Sequence, residues 1–134
     1  MKIESIQPAG WPRPRGYSNG MSVEGAGRLL FVAGQIAWDE RQQLVGPGDL
    51  VTQFAQALRN VVSVVEAGGA RPGQIVSMTI YVKDKQAYLT RTAEIGDVWR
   101  EVLGRHYPAL ALVQVADLLE PGALVEIQAV AAAG

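Results

Sequence analysis

The chain has no cysteine and a single histidine, His106. It therefore has no disulfide frame, no thiolate metal site and no cysteine nucleophile, and one chain cannot build a multi-histidine metal site. No metal and no cofactor are expected. Charge of one sign is also lacking. Twelve basic residues stand against 13 acidic ones, for a net charge of −1. That balance leaves no electrostatic footprint for nucleic acid or an anionic membrane. No apolar run is long enough to span a bilayer, and the opening MKIESIQPAG lacks the apolar core of a signal peptide. A soluble, cytoplasmic protein is expected. The 134 residues fit one domain, 1–134, which is long enough to bury a core of its own.

What is present reads as short elements separated by turns, with 15 glycines and seven prolines. Lys2–Gln7 is a short edge strand, with Ile3 and Ile6 set among polar residues. Pro8, Pro12 and Pro14 then impose a stiff, extended loop. Met21–Glu24 and Arg28–Ile36 flank Gly25-Ala26-Gly27 and read as a hairpin. Gly25-Ala26-Gly27 opens no helix, so it is not a dinucleotide fingerprint. Asp49 is placed to cap a helix over Leu50–Ala67, whose apolar residues Leu50, Phe54, Leu58, Val61 and Val65 share one face. Gly68-Gly69 stops it. Gln74–Lys83 alternates as a strand, and Asp84 caps a second helix over about Lys85–Leu103, with Trp99 in its core stripe. Two further strands fall within Tyr107–Ala131, parted by Pro121-Gly122.

The order is β-β-β-α-β-α-β-β, an α+β sandwich with both helices on one face of a six-stranded sheet. The third and fifth strands are apolar on both sides, and no element is left to cover the second sheet face. Self-association is expected there. Glu126 stands inside an otherwise apolar final strand. An unpaired, fully desolvated carboxylate costs several kcal/mol, to order of magnitude. Glu126 therefore either faces solvent or lines a polar cleft.

Six fragments carry a family resemblance: Gly16-Tyr17-Ser18-Asn19-Gly20, Val32-Ala33-Gly34-Gln35-Ile36, Leu58-Arg59-Asn60-Val61, Tyr81-Val82-Lys83-Asp84, Tyr107-Pro108-Ala109 and Val125-Glu126-Ile127-Gln128-Ala129. Their order and spacing resemble the Rid family (reactive intermediate deaminases, also called YjgF-like) over nearly the whole chain. The resemblance implies a chorismate-mutase-like fold and a homotrimer that binds a small-molecule ligand in clefts between subunits. It also implies hydrolysis of imines or enamines to oxo acids and ammonia, without cofactor or metal.

Carried over residue by residue, the family's water-positioning glutamate falls on Glu126 and its cleft tyrosine on Tyr17. The glycine that approaches the ligand falls on Gly34, and a main-chain donor on Ala111. The family's substrate-clamping arginine is replaced by Leu110, and the proline before the tyrosine by Gly16. Leucine cannot make the bidentate contact an arginine makes to a carboxylate. Poor activity on 2-iminobutanoate and 2-iminopropanoate is therefore expected. Trp38 is a candidate pocket wall. Arg13 and Arg15 either replace the clamp from another direction or are simply solvated. His106, with Arg105 before it, reads as a surface residue near a helix end. The alternative to a deaminase is a non-catalytic, metabolite-binding trimer. RNA cleavage, also associated with the family, is disfavoured because no basic, aromatic surface is visible.

Overall fold

In the computed structural model, which describes residues 1–134, helix α1 spans Leu50–Ala67, the range read from sequence. The Asp49 carboxylate accepts from the Val51 amide at 3.2 Å and the Thr52 hydroxyl at 2.7 Å. The first bond satisfies a backbone amide that a helix start leaves free. The Thr52 hydroxyl in particular holds the Asp49 carboxyl below its ordinary pKa. At the other end Gly69 adopts φ +88, a value that favours glycine. Phe54, Leu58, Val61 and Val65 are fully buried, each contributing about 1.5–3 kcal/mol by leaving water.

Gln53 lies among them, fully buried and polar. Its Nε2 donates to the carbonyls of Gly46 and Gly122, at 3.2 and 3.1 Å. Its Oε1 accepts from the Leu124 amide at 2.8 Å. One side chain thus ties α1 to the loop before it and to the start of the last strand.

The strands are β1 (Lys2–Ile6), β2 (Gly20–Glu24), β3 (Arg28–Gln35), β4 (Ile75–Val82), β5 (Ala109–Gln114) and β6 (Val125–Ala133). Six strands were expected and six are present, but not in one sheet. They form a four-stranded sheet, β3-β6-β4-β5, and a separate ribbon, β1-β2. The expected hairpin of β2 with β3 does not form. β2 pairs with β1 (Ile3 opposite Val23), and β3 pairs with β6 (Phe31 opposite Val130). Leu30 and Val32 are the reason. Beside β6 they reach α1, with Val32 in the core and Leu30 packed against Gly68. β2, with Gly20, Ser22 and Glu24, has no such face to offer.

The second expected helix is two helices, α2 (Lys85–Leu89) and α3 (Thr92–Leu103). Asp84 caps α2 as expected. The break falls at Thr90-Arg91. The Thr90 hydroxyl donates back to the Ala87 carbonyl at 3.1 Å. Arg91 leaves helical geometry at φ −124, ψ 21 and closes on Glu94 at 2.5 Å. Side-chain bonds of this kind compete with the helix ladder. Ile95, Trp99 and Leu103 remain buried.

From the helices, Leu50, Phe54, Ala57, Leu58, Val61, Val65, Ile95, Trp99 and Leu103 join one cluster with alternate residues of β6, namely Val125, Ile127, Ala129, Ala131 and Ala133. The helices therefore cover one face of the sheet. On the open face Phe31 is 76 % exposed, Leu29 54 % and Val113 43 %. No helix is long and apolar enough to cross a membrane.

Candidate functional site

The strand β3 loses register with β6 between Val32 and Gln35. This irregularity brings the Gly34 backbone against the neighbouring strand. A methyl group built on Gly34 would lie 2.5 Å from Glu126 Oε2 and 2.8 Å from its Cδ. The Glu126 carboxylate therefore occupies the space that a side chain at 34 would need. Glu126 alternates with the buried Val125 and Ile127 and so points to the open face. It is half-buried, with no ion pair and no side-chain hydrogen bond. No buried side-chain oxygen in the protein lacks a partner. The carboxylate is thus free to bind water.

Tyr81 of β4 sits directly opposite Glu126, and its hydroxyl lies 3.1 Å from Gln128 Oε1. These two polar residues beside the carboxylate were not singled out from sequence. The alternation of QIVSMTIYVK puts Tyr81 on the polar side, but its pairing with Glu126 is non-local.

A second group forms across the sheet. Ser18 donates through its amide to the Pro108 carbonyl at 3.0 Å, and its hydroxyl donates to the Tyr107 carbonyl. This hook docks the segment leading into β2 onto the free edge of β5. Tyr17 is thereby brought beside Ala109, Leu110 and Ala111, with Ser77 and Thr79 of β4, around a cavity of about 290 Å³. Ala111 shares the open face with Thr79, its partner in the register. Leu110 pairs with the buried Met78 and packs on the helix-side core. It also lines a cavity of about 380 Å³ under the helices, with Phe54, Tyr88 and Trp99. Burial there pushes the Tyr88 phenol up.

Of the residues marked in the sequence, Gly34 and Glu126 form one group and Tyr17, Leu110 and Ala111 the other. The two are separated by about two strand spacings, roughly 10 Å. Trp38 joins neither. Its carbonyl accepts from Gln56 and Asn60 of α1, which fixes the loop after β3 against the helix. Arg15 lines the cavity under the helices, whereas Arg13 and Arg105 line another, larger cavity beside the ribbon. His106 is not a plain surface residue. Its Nε2 lies 2.6 Å from the Ile75 carbonyl, so that nitrogen carries the proton, because a carbonyl only accepts. Its own carbonyl takes the Trp99 indole proton at 3.0 Å, and Trp99 stacks on Tyr107.

Three comparisons bear on this arrangement. A family model described as Endoribonuclease L-PSP matches residues 12–133. A RutC family protein of Pyrococcus horikoshii is 34 % identical over 121 residues, covering 90 % of each chain. A 2-iminobutanoate/2-iminopropanoate deaminase of Capra hircus is 30 % identical over 118 residues, covering 88 % of this chain and 80 % of the goat protein. Among solved structures, the Rid family protein YyfB of Yersinia pestis superposes with a TM-score of 0.86 at 32 % identity. That match covers 98 % of this chain and 99 % of the other.

Proposed function

This chain belongs to the endoribonuclease L-PSP family, the Rid or YjgF-like proteins, and on that premise we propose that it hydrolyses a reactive imine or enamine to an oxo compound and ammonia. The observation that carries this reading is the unpaired Glu126 carboxylate seated over Gly34 on the open sheet face. Water bound to Glu126 attacks the carbon of the C=N bond. Glu126 takes one proton from that water and delivers it to the nitrogen, giving a carbinolamine. A second proton then passes from the carbinol hydroxyl through Glu126 to the nitrogen as the C–N bond breaks and the C=O bond forms. An enamine enters the same path once its N–H proton has moved to carbon. Substrate and water become oxo product and ammonia, so atoms balance without a cofactor.

The open face is the proposed subunit interface. Phe31 and Leu29 on one outer strand and Val113 on the other are apolar and flank the polar Glu126, Tyr81 and Gln128. Packing three such faces together would cover the apolar part and enclose the polar part in clefts between subunits. Tyr17, Ala111 and Gly34 shape these clefts. Leu110, turned to the helix side, offers a substrate carboxylate no charge, so specificity moves away from 2-iminobutanoate and 2-iminopropanoate. The same feature favours the second reading, a trimer that binds a metabolite without turnover. Ammonia release across a panel of imines and aminomuconate-like enamines separates the two. The hydrolase reading predicts release from at least one enamine and little from the two short imino acids. Saturable binding across the panel without release would support the second reading.

The glycine supplies its own test. In Gly34→Ala the new methyl meets the far end of a flexible side chain, so the carboxylate moves and the backbone need not. The expected result is an unchanged melting temperature with a rate lowered by about 100-fold, the scale of an ångström of misplacement. A wild-type rate in that variant would detach Glu126 from the chemistry.

A further inference from the structure

A cavity of about 680 Å³, larger than the two that Leu110 lines, lies between the β1-β2 ribbon, the proline-rich loop and the segment before β5. We propose that it is a binding site for a small planar carboxylate, held between Arg13 and Arg105. Three observations converge on it.

The first is charge. Both guanidiniums line the cavity and no aspartate or glutamate does. Neither arginine makes an ion pair; Arg59, Arg91 and Arg100 do, while Arg15, Arg28, Arg41 and Arg71 are likewise without one. In a chain of net charge −1, such a cavity is a local departure from the overall balance. Two unpaired guanidiniums facing one concave space suit a carboxylate, which guanidinium binds in a bidentate fork.

The second is construction. The loop that carries Arg13 is held by a relay of amides. Asn19 Nδ2 donates to Gln7 Oε1 at 2.8 Å, and Gln7 Nε2 donates to the Trp11 and Pro12 carbonyls at 3.1 and 3.2 Å. On the far wall, the Trp99 indole and the Ile75 carbonyl hold His106 and so fix the segment beginning at Arg105. Both walls are therefore set before any ligand arrives, which lowers the cost of binding.

The third is shape. Trp11 and Tyr17 line the cavity with exposed rings, surfaces that take a flat, conjugated body. Tyr17 is also shared with the smaller cavity at Leu110 and Ala111. The carboxylate contact missing at Leu110 is thus available one cavity away. In assigning that contact to the substrate, the inference rests on the hydrolase reading; as a binding site it stands alone.

The test is titration of tryptophan fluorescence and of heat with benzoate, against benzamide as its neutral isostere. Wild type is expected to bind benzoate saturably and benzamide at least tenfold more weakly. Arg13→Gln and Arg105→Gln should each weaken benzoate about tenfold and leave benzamide unchanged. Both arginines are exposed, so circular dichroism should show an intact fold. Arg15→Gln, outside this cavity, should bind as wild type. Equal affinity for benzoate and benzamide would overturn the site, as would wild-type benzoate affinity in either cavity variant. So would tighter binding of inorganic phosphate than of benzoate. Benzoate binding in a protein that releases no ammonia from any imine would uphold the site and count against the hydrolase. Ammonia release with an unchanged KM in both arginine variants would uphold the hydrolase and overturn the assignment to substrate.

Discussion

Glu126→Gln is expected to lower the rate of ammonia release by about 100-fold or more, the scale of a lost general base, with the melting temperature unchanged. The substitution keeps the shape and leaves a group that still binds water. It removes the capacity to accept a proton. The packing argument for an unchanged fold is direct. Glu126 makes no ion pair and its neighbours Val125 and Ile127 carry the burial on that strand. A structural role would behave oppositely, with stability falling and the surviving folded protein turning over normally. Steady-state rates and thermal melts on the same preparation separate the two. A Glu126→Gln protein with the wild-type rate would remove Glu126 from the mechanism.

The second large effect is expected at Phe31. Three-quarters of that side chain is exposed, opposite Val130 and beside Leu29 on the uncovered face. Burying one such ring in an interface contributes about 1.5–3 kcal/mol, and a closed trimer repeats the contact in every subunit. Phe31→Glu removes that contribution and places like charges at each junction. Sedimentation velocity should find the wild type at three times the single-chain mass and the variant at the single-chain mass. Far-ultraviolet circular dichroism should be unchanged, because Phe31 is outside the helix-side core. If the clefts lie between subunits, ammonia release should fall with assembly. Val64→Glu, on the exposed side of α1, serves as the control and should leave the mass unchanged. A Phe31→Glu protein that keeps the wild-type mass would place the interface elsewhere.

Local signals were legible and non-local pairings were not. Asp49, the 3.6-residue stripe and Gly68-Gly69 delimit α1 without help from the rest of the chain. Glu126 among apolar residues marked a strand with one unusual face, and Gly34 lies against it. The break at Thr90-Arg91 went unread because Tyr88, Thr92, Ile95 and Trp99 keep helical spacing across it. The split into a sheet and a ribbon went unread for a different reason. Adjacent strands pair by default, and only the reach of Leu30 and Val32 to α1 shows why β3 prefers β6. Nothing local marks Gln53 as buried, because its partners Gly46, Gly122 and Leu124 lie in other segments. The cavity of Arg13 and Arg105 joins residues far apart in the chain through Ser18 and the relay of Gln7 and Asn19, and no spacing rule reports that. Leu110 was legible as a missing clamp, but its helix-side orientation follows only from its pairing with Met78.

The most direct test counts turnovers. The purified chain is mixed with an excess of a freshly generated enamine that carries a carboxylate, and ammonia and oxo product are measured together. A hydrolase releases both in equal amounts, many equivalents per chain, and the Glu126→Gln protein does not. One equivalent or less, with the substrate bound and intact, would contradict catalysis and leave a binding protein.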